Sequence, residues 1–497
     1  MAAATGPDTG TDTTLKAKVL STPEVLAQSV ANMAPSAAMA LLPLFVFFSA
    51  GNALWLSFAL GLVVMLLVGY CAAQFGKRIN SAGSFYVWVT RGLGPGAGHA
   101  AGWGLVLGYL FTGIACVLGF EIYGDQFLVG LGLSPGNHAV RAILYIVGGL
   151  TPALVSVLDI RISQRAAFIL EAISVTIILI LCIAVYAHNG TIFDHAQLTL
   201  SGFKPGGLIV GMVLAIFAFV GFESAGALGQ EAENPSRSVP RAILWSCGAV
   251  GVFYLIVSYA QLDGFGAAGF AKASAPLPEL ADKVGLTALS HFIAIGITFS
   301  MFACALACLN AGSRMLLSFA HDGLAPKALA HTAPKTGAPD FAIWTVAIPM
   351  TVIPVIYIAV GSTDTILSSE MGTLATYGFM LAYALVCIAA PLFLSRRGES
   401  PGVAALLGGL GVLAMAFVFY VSWIPQLIHN DIFAPLTWPL WILPYVFLAW
   451  TAIGLVWYFT IRRNRPEVIA SAGRWGDQAE PAVAAQTGAA PAAPTAG

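Results

Sequence analysis

The chain has 497 residues, of which 58% are Ala, Val, Ile, Leu, Met, Phe, Trp, Tyr or Cys, only 9% are charged, and the net charge is −1. A soluble globular protein carries roughly 25% charged residues, and a nucleic-acid binder needs a basic surface, so a soluble domain, a disordered chain and a nucleic-acid partner are excluded. What remains is an all-α polytopic membrane protein: the period-two pattern of a barrel is missing, and helices satisfy their own backbone in lipid.

Residues 1–20 are polar and lack the apolar core of a cleavable leader, so a short cytoplasmic tail is expected there. No Asp, Glu, Lys or Arg occurs in the 52 residues Val25–Gly76. A crossing needs about 20 apolar residues, so this run holds two, at 25–50 and 53–76. The first carries Ala31-Asn-Met-Ala-Pro-Ser36 at mid-depth, where Pro35 removes a donor and clashes with the preceding turn. Further spans are expected at 97–130, 139–158 and 163–187. Glu121 lies 24 residues after Ala97, about 36 Å along a helix, beyond a core of roughly 30 Å. Glu121 and Asp125 are therefore expected in solvent at the outer interface. Glu171 lies only 8 residues after Ser163, about 12 Å in.

The sixth span, 207–230, carries Phe219-Val-Gly-Phe-Glu-Ser224, and Gly221 weakens the helix locally. Glu223 lies 10 residues before Glu233, about 15 Å if helical. An ionised carboxylate at mid-membrane costs on the order of 2.5–3.5 kcal/mol. A proton, a cation or an amine substrate on Glu171 or Glu223 avoids that cost. Six more spans are expected at 242–262, 286–317, 341–360, 366–394, 403–424 and 436–461, which makes twelve. The seven cysteines all lie in apolar stretches and read as packing. No metal cluster, nucleophile elbow or phosphate loop is present, so no cofactor, no metal and no enzymatic activity are expected. Residues 466–497 are rich in Ala and Pro and are expected to be a disordered cytoplasmic tail.

With the N-terminus inside, 18 Lys and Arg fall on the inner side and 4 on the outer. The positive-inside rule therefore predicts both termini in the cytoplasm. Interruptions at corresponding depths of spans 1 and 6 point to an inverted-repeat transporter with its site between them. At such a break, half-helix N-termini offer free N–H groups and half-helix C-termini offer free carbonyls. The candidate donors are Ser36 and Ala37, and the candidate acceptors lie near Asn32 and Phe219.

Three stretches carry a family resemblance. They are Ser81-Ala-Gly-Ser-Phe-Tyr86 with Arg91-Gly-Leu-Gly-Pro95 and Gly102-Trp103; Phe217-Ala-Phe-Val-Gly-Phe-Glu-Ser224 with Glu231-Ala-Glu-Asn-Pro235 and Val239-Pro-Arg-Ala242; and Ala311-Gly-Ser-Arg-Met315 with His321-Asp-Gly-Leu-Ala-Pro326 and Ala338-Pro339. In order and spacing the chain resembles the amino acid–polyamine–organocation permeases over roughly residues 24–397. The resemblance implies a 5+5 inverted repeat (about 25–187 and 207–394) within a permease domain at 21–465, and two extra helices (about 403–461). It implies secondary transport of amino acids across a plasma membrane, here a bacterial inner membrane, by a monomer or homodimer. A polyamine or organic-amine carrier, or an exchanger, is the alternative.

The implied site lies at the breaks, flanked by spans 3, 8 and 10. Its expected substrate-binding residues are Asn32, Met33, Ala34, Pro35, Ser36, Ala37, Phe217, Phe219, Gly221, Phe222 and Ser224. Phe217 falls where a relative has a gating tryptophan. Glu223 and Glu171 are the expected coupling residues, to a proton or to sodium. Relatives often have a Gly-rich first break, whereas here Pro35 offers no N–H. Some proton-coupled relatives have a lysine where this chain has Glu171, so that mechanism does not transfer. The charges after span 6 (Glu231, Glu233, Arg237, Arg241) face Arg78, Arg91, Arg314 and Asp322 as possible inner-gate pairs or as plain solvated charge.

Overall fold

The computed structural model describes residue 15 and residues 17–133, 138–203, 205–273, 275–360, 364–423 and 442–475. Among them every regular element is helical, and an isolated parallel bridge pairs Leu20 with Ala232. The elements in chain order are α1 (Thr22–Met33), α2 (Pro35–Ala50), α3 (Leu54–Gly76), α4 (Ser84–Leu93), α5 (Pro95–Gly130), α6 (His138–Leu158), α7 (Ile160–Asn189), α8 (His195–Leu198) and α9 (Pro205–Ala218). A 3-10 turn at Phe222–Leu228 follows, then α10 (Pro235–Phe265), α11 (Ala267–Phe270), α12 (Pro276–Lys283), α13 (Thr287–His321), α14 (Asp340–Val360), α15 (Asp364–Arg396), α16 (Gly402–Trp423), α17 (Leu443–Asn464) and α18 (Pro466–Ser471).

Eleven helical stretches among the described residues are long and apolar enough to cross a membrane. The first runs Thr22–Gly76 and is 55 residues long. At about 1.5 Å per residue that is far more than one hydrocarbon core. It is divided by the helix-to-helix switch at Ala34 and by a short 3-10 turn at Gly51–Ala53. The expected start of the last span, 436–441, lies outside the described residues.

Both expected interruptions are present. Ala34 precedes a proline, which disfavours the right-handed helical region. It adopts φ +44° and ψ +60°, ending α1 and letting Pro35 open α2. A proline at the first helical position loses nothing, because its N–H would be unpaired anyway. In the second interruption, Gly221 takes φ +105°, between the end of α9 and the 3-10 turn.

The two interrupted segments lie against each other and are enclosed by α3, α5, α7, α10, α13 and α15. Small residues set the closest approach of α5 and α15: a Cβ added at Gly104 would lie 2.8 Å from the carbonyl of Gly378. Glu121 departs from expectation. It is only 3% exposed, and Arg141 Nε donates to its Oε1 at 3.1 Å. The start of α6 covers it, which an axial depth calculation does not register. Residues from 466 onward begin with helix α18, where a featureless tail was expected; residues 476–497 lie outside the described residues.

Candidate functional site

The two breaks expose peptide groups, and side chains meet nearly all of them. At the start of α2, Pro35 has no N–H. Ser36 N–H donates to Glu171 Oε1 at 3.2 Å, and Ala37 N–H donates to Ser300 Oγ at 3.2 Å. Ala38 N–H already reaches Ala34 O at 2.8 Å. Glu171 on α7 thus places a carboxylate against the positive end of a 16-residue helix, where an anion is favoured. The carboxylate is buried, and the hydroxyls of Ser36 and Ser300 lie within reach of it.

At the end of α1, Cys304 Sγ donates to Asn32 O at 3.2 Å and Cys308 Sγ donates to Asn32 Oδ1 at 3.0 Å. Asn32 Nδ2 reaches Gly221 O at 3.4 Å. Asn32 therefore joins the first break to the second and to α13. Tyr254 Oη on α10 lies 2.6 Å from Ala218 O and 3.2 Å from Met33 O, so its single hydroxyl proton can serve the C-terminal carbonyl of either first half.

The second break holds the other carboxylate. Glu223 is fully buried. Its Oε1 accepts from Tyr109 Oη at 2.9 Å, and its Oε2 accepts from Tyr383 Oη at 2.5 Å and from Gly221 N–H at 3.2 Å. It ties α5, α15 and the interruption together. Each break thus carries one carboxylate on a freed N–H.

The expected phenylalanines diverge. Phe219 wedges against Tyr254, with ring centroids 5.0 Å apart, and lies over Gly61 of α3. Phe222 packs on Tyr383 at 5.3 Å and over Gly69. Phe217 alone is half-buried, facing Gly372 of α15 on the side away from the chain ends. Ser224 Oγ donates to Gln28 O at 3.3 Å, and Ser29 Oγ returns a bond to Phe222 O at 2.6 Å.

Between this centre and the side where Leu15 and Trp475 meet lie two layers of buried polar contacts. Gln164 Nε2 donates to Gln28 Oε1 at 2.7 Å, and Gln28 Nε2 donates to Ala307 O at 2.8 Å. Beyond them, Arg314 and Glu231 form a two-bond ion pair, at 2.5 and 2.7 Å, with both side chains 2% exposed. Of the charges singled out around the end of span 6, Glu231, Arg314 and Asp322 are buried, and the first two pair with each other.

Tyr109, Tyr254, Tyr383, Ser300, Cys304 and Cys308 are site residues that the sequence reading did not select. Their signal, a hydroxyl or thiol inside a charge-free run, is shared by many packing residues. Gly221 supplies a sharp check. A Cβ there would lie 2.7 Å from Asn32 Nδ2 on a backbone that L-residues avoid. Gly221→Ala is expected to cost roughly 1–3 kcal/mol through strain alone and to cut the rate of the protein's cycle at least about tenfold. Wild-type activity in a folded Gly221→Ala protein would show that the break is not used.

Comparison with known proteins finds relatives among transporters. A family profile described as amino acid permease matches residues 20–454. The branched-chain amino acid permease BcaP of Bacillus subtilis is 26% identical over 437 residues, covering 84% of this chain and 88% of that protein. The methylthioribose transporter of the same organism is 24% identical, covering 84% of this chain and 87% of its own length. Human cationic amino acid transporter 4 is 30% identical over 322 residues, covering 58% of this chain and 47% of that protein.

Proposed function

This chain belongs to the amino acid permease family, and on that premise we propose that it is a proton-coupled carrier of neutral, branched-chain-type amino acids, working by alternating access. It is a transporter and not an enzyme. The observation that carries the reading is the pair of adjacent helix breaks, each with one buried carboxylate on a freed N–H.

A substrate carboxylate needs the N–H groups of Ser36 and Ala37, and a substrate ammonium needs the carbonyls of Asn32 and Gly221. Glu171 occupies the first of these positions with its own carboxylate. A proton taken up by Glu171 weakens its hold on Ser36 N–H and leaves the helix terminus to the substrate. Proton and amino acid then bind together, which is the logic of symport. Beyond the carboxylates of Glu171 and Glu223, the wall contributed by Cys304 and Cys308 is uncharged, which suits an aliphatic side chain. The relatives with the widest coverage above include a branched-chain permease.

The layout we assign is twelve crossings, with the break-bearing first and sixth in corresponding places of an inverted repeat. An even number of crossings is supported by Leu15 and Trp475, which share one cluster. The Lys and Arg distribution supports a cytoplasmic position for that side, here of a bacterial inner membrane.

A second reading, transport of a cationic amino acid or polyamine, is supported by the buried Glu171 carboxylate at the first break and by the human cationic relative. Proteoliposomes separate the two. Saturable uptake of radiolabelled leucine, isoleucine or valine, driven by an inward proton gradient, is expected. Uptake of arginine or putrescine alone would replace the first reading with the second. No uptake above protein-free vesicles for any of them would remove both.

A further inference from the structure

The described chain continues past its last crossing onto the face where both ends meet. Trp457 Nε1 donates to Leu324 O at 2.7 Å, and Arg465 Nη2 donates to Gly323 O at 3.2 Å. Helix α18 sets Val468 against Gly323, where an added Cβ would lie 3.2 Å from the valine methyls. Gly473 follows, at φ +72°. Its N–H donates to Asp322 Oδ2 at 2.7 Å and to Tyr86 Oη at 3.2 Å, while its carbonyl accepts from Arg91 Nε at 3.1 Å. A Cβ there would lie 2.7 Å from the Thr90 methyl, so the backbone is held in direct contact with α4. Trp475 then lies flat on His321, with centroids 4.2 Å apart and planes at 6°.

The receiving surface is built for this segment. Asp322 is 6% exposed and accepts from Tyr86 Oη at 2.5 Å as well as from Gly473. Both backbone polar groups of Gly473 are thereby held, its N–H by an acid and its carbonyl by a base. Leu15, from the other end of the chain, completes the cluster with Ala82, Leu317 and Trp475.

The contacts close a ring around this face. From Trp475 the ring runs to Leu15 and on to Leu20, whose N–H donates to Glu231 O at 2.9 Å. Glu231 pairs with Arg314 of α13, and α13 ends at His321 and Asp322 under the tail. Opening this face by moving the first half of span 1 away from α13 breaks the Glu231–Arg314 pair and pulls Leu15 away from Trp475. Residues 465–475 add no crossing helix, yet they bridge parts that must separate.

We propose that residues 465–475 are a built-in strap, docked on a cradle of Tyr86, Thr90, Arg91, His321, Asp322 and Leu15, that holds the carrier closed on the face carrying its chain ends. The assignment goes beyond the substrate reading and rests on that reading only for its direction of motion.

The test compares the full chain with two variants in lipid nanodiscs: a deletion of residues 472–497, and Trp475→Ala in the complete chain. Hydrogen–deuterium exchange is followed in peptides covering residues 222–234 and 307–324. Exchange at least about fivefold faster there than in the parent is expected in both variants, with α14 and α16 unchanged. A synthetic peptide of residues 465–475, added in excess to the truncated protein, is expected to restore slow exchange. Should the truncated chain fail to fold, Trp475→Ala carries the comparison alone. Unchanged exchange in the folded variants, or acceleration spread equally over α14 and α16, overturns the strap. Faster local exchange in a carrier that takes up no amino acid supports the strap and removes the substrate reading, so the two failures are distinguishable.

Discussion

Arg314→Met is expected to lower the stability of the folded carrier by about 3–5 kcal/mol, because it leaves Glu231 buried without its countercharge. Both side chains are 2% exposed, and the guanidinium makes two bonds to the carboxylate and a third, at 3.0 Å, to Asn310 O. A surface pair would contribute only about 0–1 kcal/mol. The double variant Glu231→Leu with Arg314→Met removes both charges and is expected to recover most of the loss, since a buried pair often exchanges with apolar residues at little net cost. It is also expected to favour the state open on the face carrying the chain ends, because the pair spans the parts that separate there. Thermal unfolding of the purified variants, followed by tryptophan fluorescence, gives the first comparison. A single-variant midpoint within about 1 °C of the parent would mean that the pair is solvated. Labelling of Cys308 by a small thiol reagent gives the second. The double variant should react faster than the parent, since Cys308 lies at the first break and is buried in the closed state.

The same residues show what a sequence discloses and what it withholds. The breaks were legible because their cause is local. A proline dictates the backbone of the residue before it, and a glycine inside an apolar run permits a positive φ. The carboxylates Glu171 and Glu223 were legible because a charge at mid-depth has few reasons to be there. Partnership was not legible. Four acidic or basic residues after span 6 faced four others at the same end, and only the packing of α13 against the 3-10 turn selects Glu231 with Arg314. Depth along a helix failed for Glu121 because burial also depends on what lies beside the helix, here Arg141 at the start of α6. The hydroxyls of Tyr109, Tyr254 and Tyr383 stayed hidden for the opposite reason. Each sits in an apolar stretch where aromatic residues are common, and only the fold brings three of them onto two short interruptions. The expectation of one featureless tail from 466 onward took its Ala- and Pro-rich character from residues 476–497, whereas residues 466–475 hold one Pro and two Ala, and Gly473 and Trp475 among them carry the docking.

Glu171→Gln and Glu223→Gln are expected to flatten the dependence of uptake on external pH, by different routes. In the parent, uptake should rise as external pH falls, because protonation of Glu171 is what frees Ser36 N–H for the substrate. In Glu171→Gln the neutral amide resembles the protonated acid: its oxygen holds Ser36 N–H only weakly, so the substrate can displace it, but no proton can be gained or lost there. Accumulation against a gradient should disappear while counterflow exchange of leucine persists. Glu223→Gln has a further consequence. The carboxylate accepts three hydrogen bonds, from Tyr109, Tyr383 and Gly221 N–H. The amide oxygen can take the place of Oε2, still accepting from Tyr383 Oη and Gly221 N–H, but the amide nitrogen then faces Tyr109 Oη and can no longer accept from it. Losing that one bond costs about 0.5–1.5 kcal/mol, so the exchange rate of Glu223→Gln should also fall, by up to about tenfold. Initial uptake rates and counterflow, measured in proteoliposomes across the acid-to-neutral range, separate the two roles. A parent-like pH profile with full accumulation in both variants would exclude these carboxylates from coupling. A parent-like profile in Glu171→Gln alone would move the coupling proton to Glu223 and leave Glu171 as a fixed cap on α2.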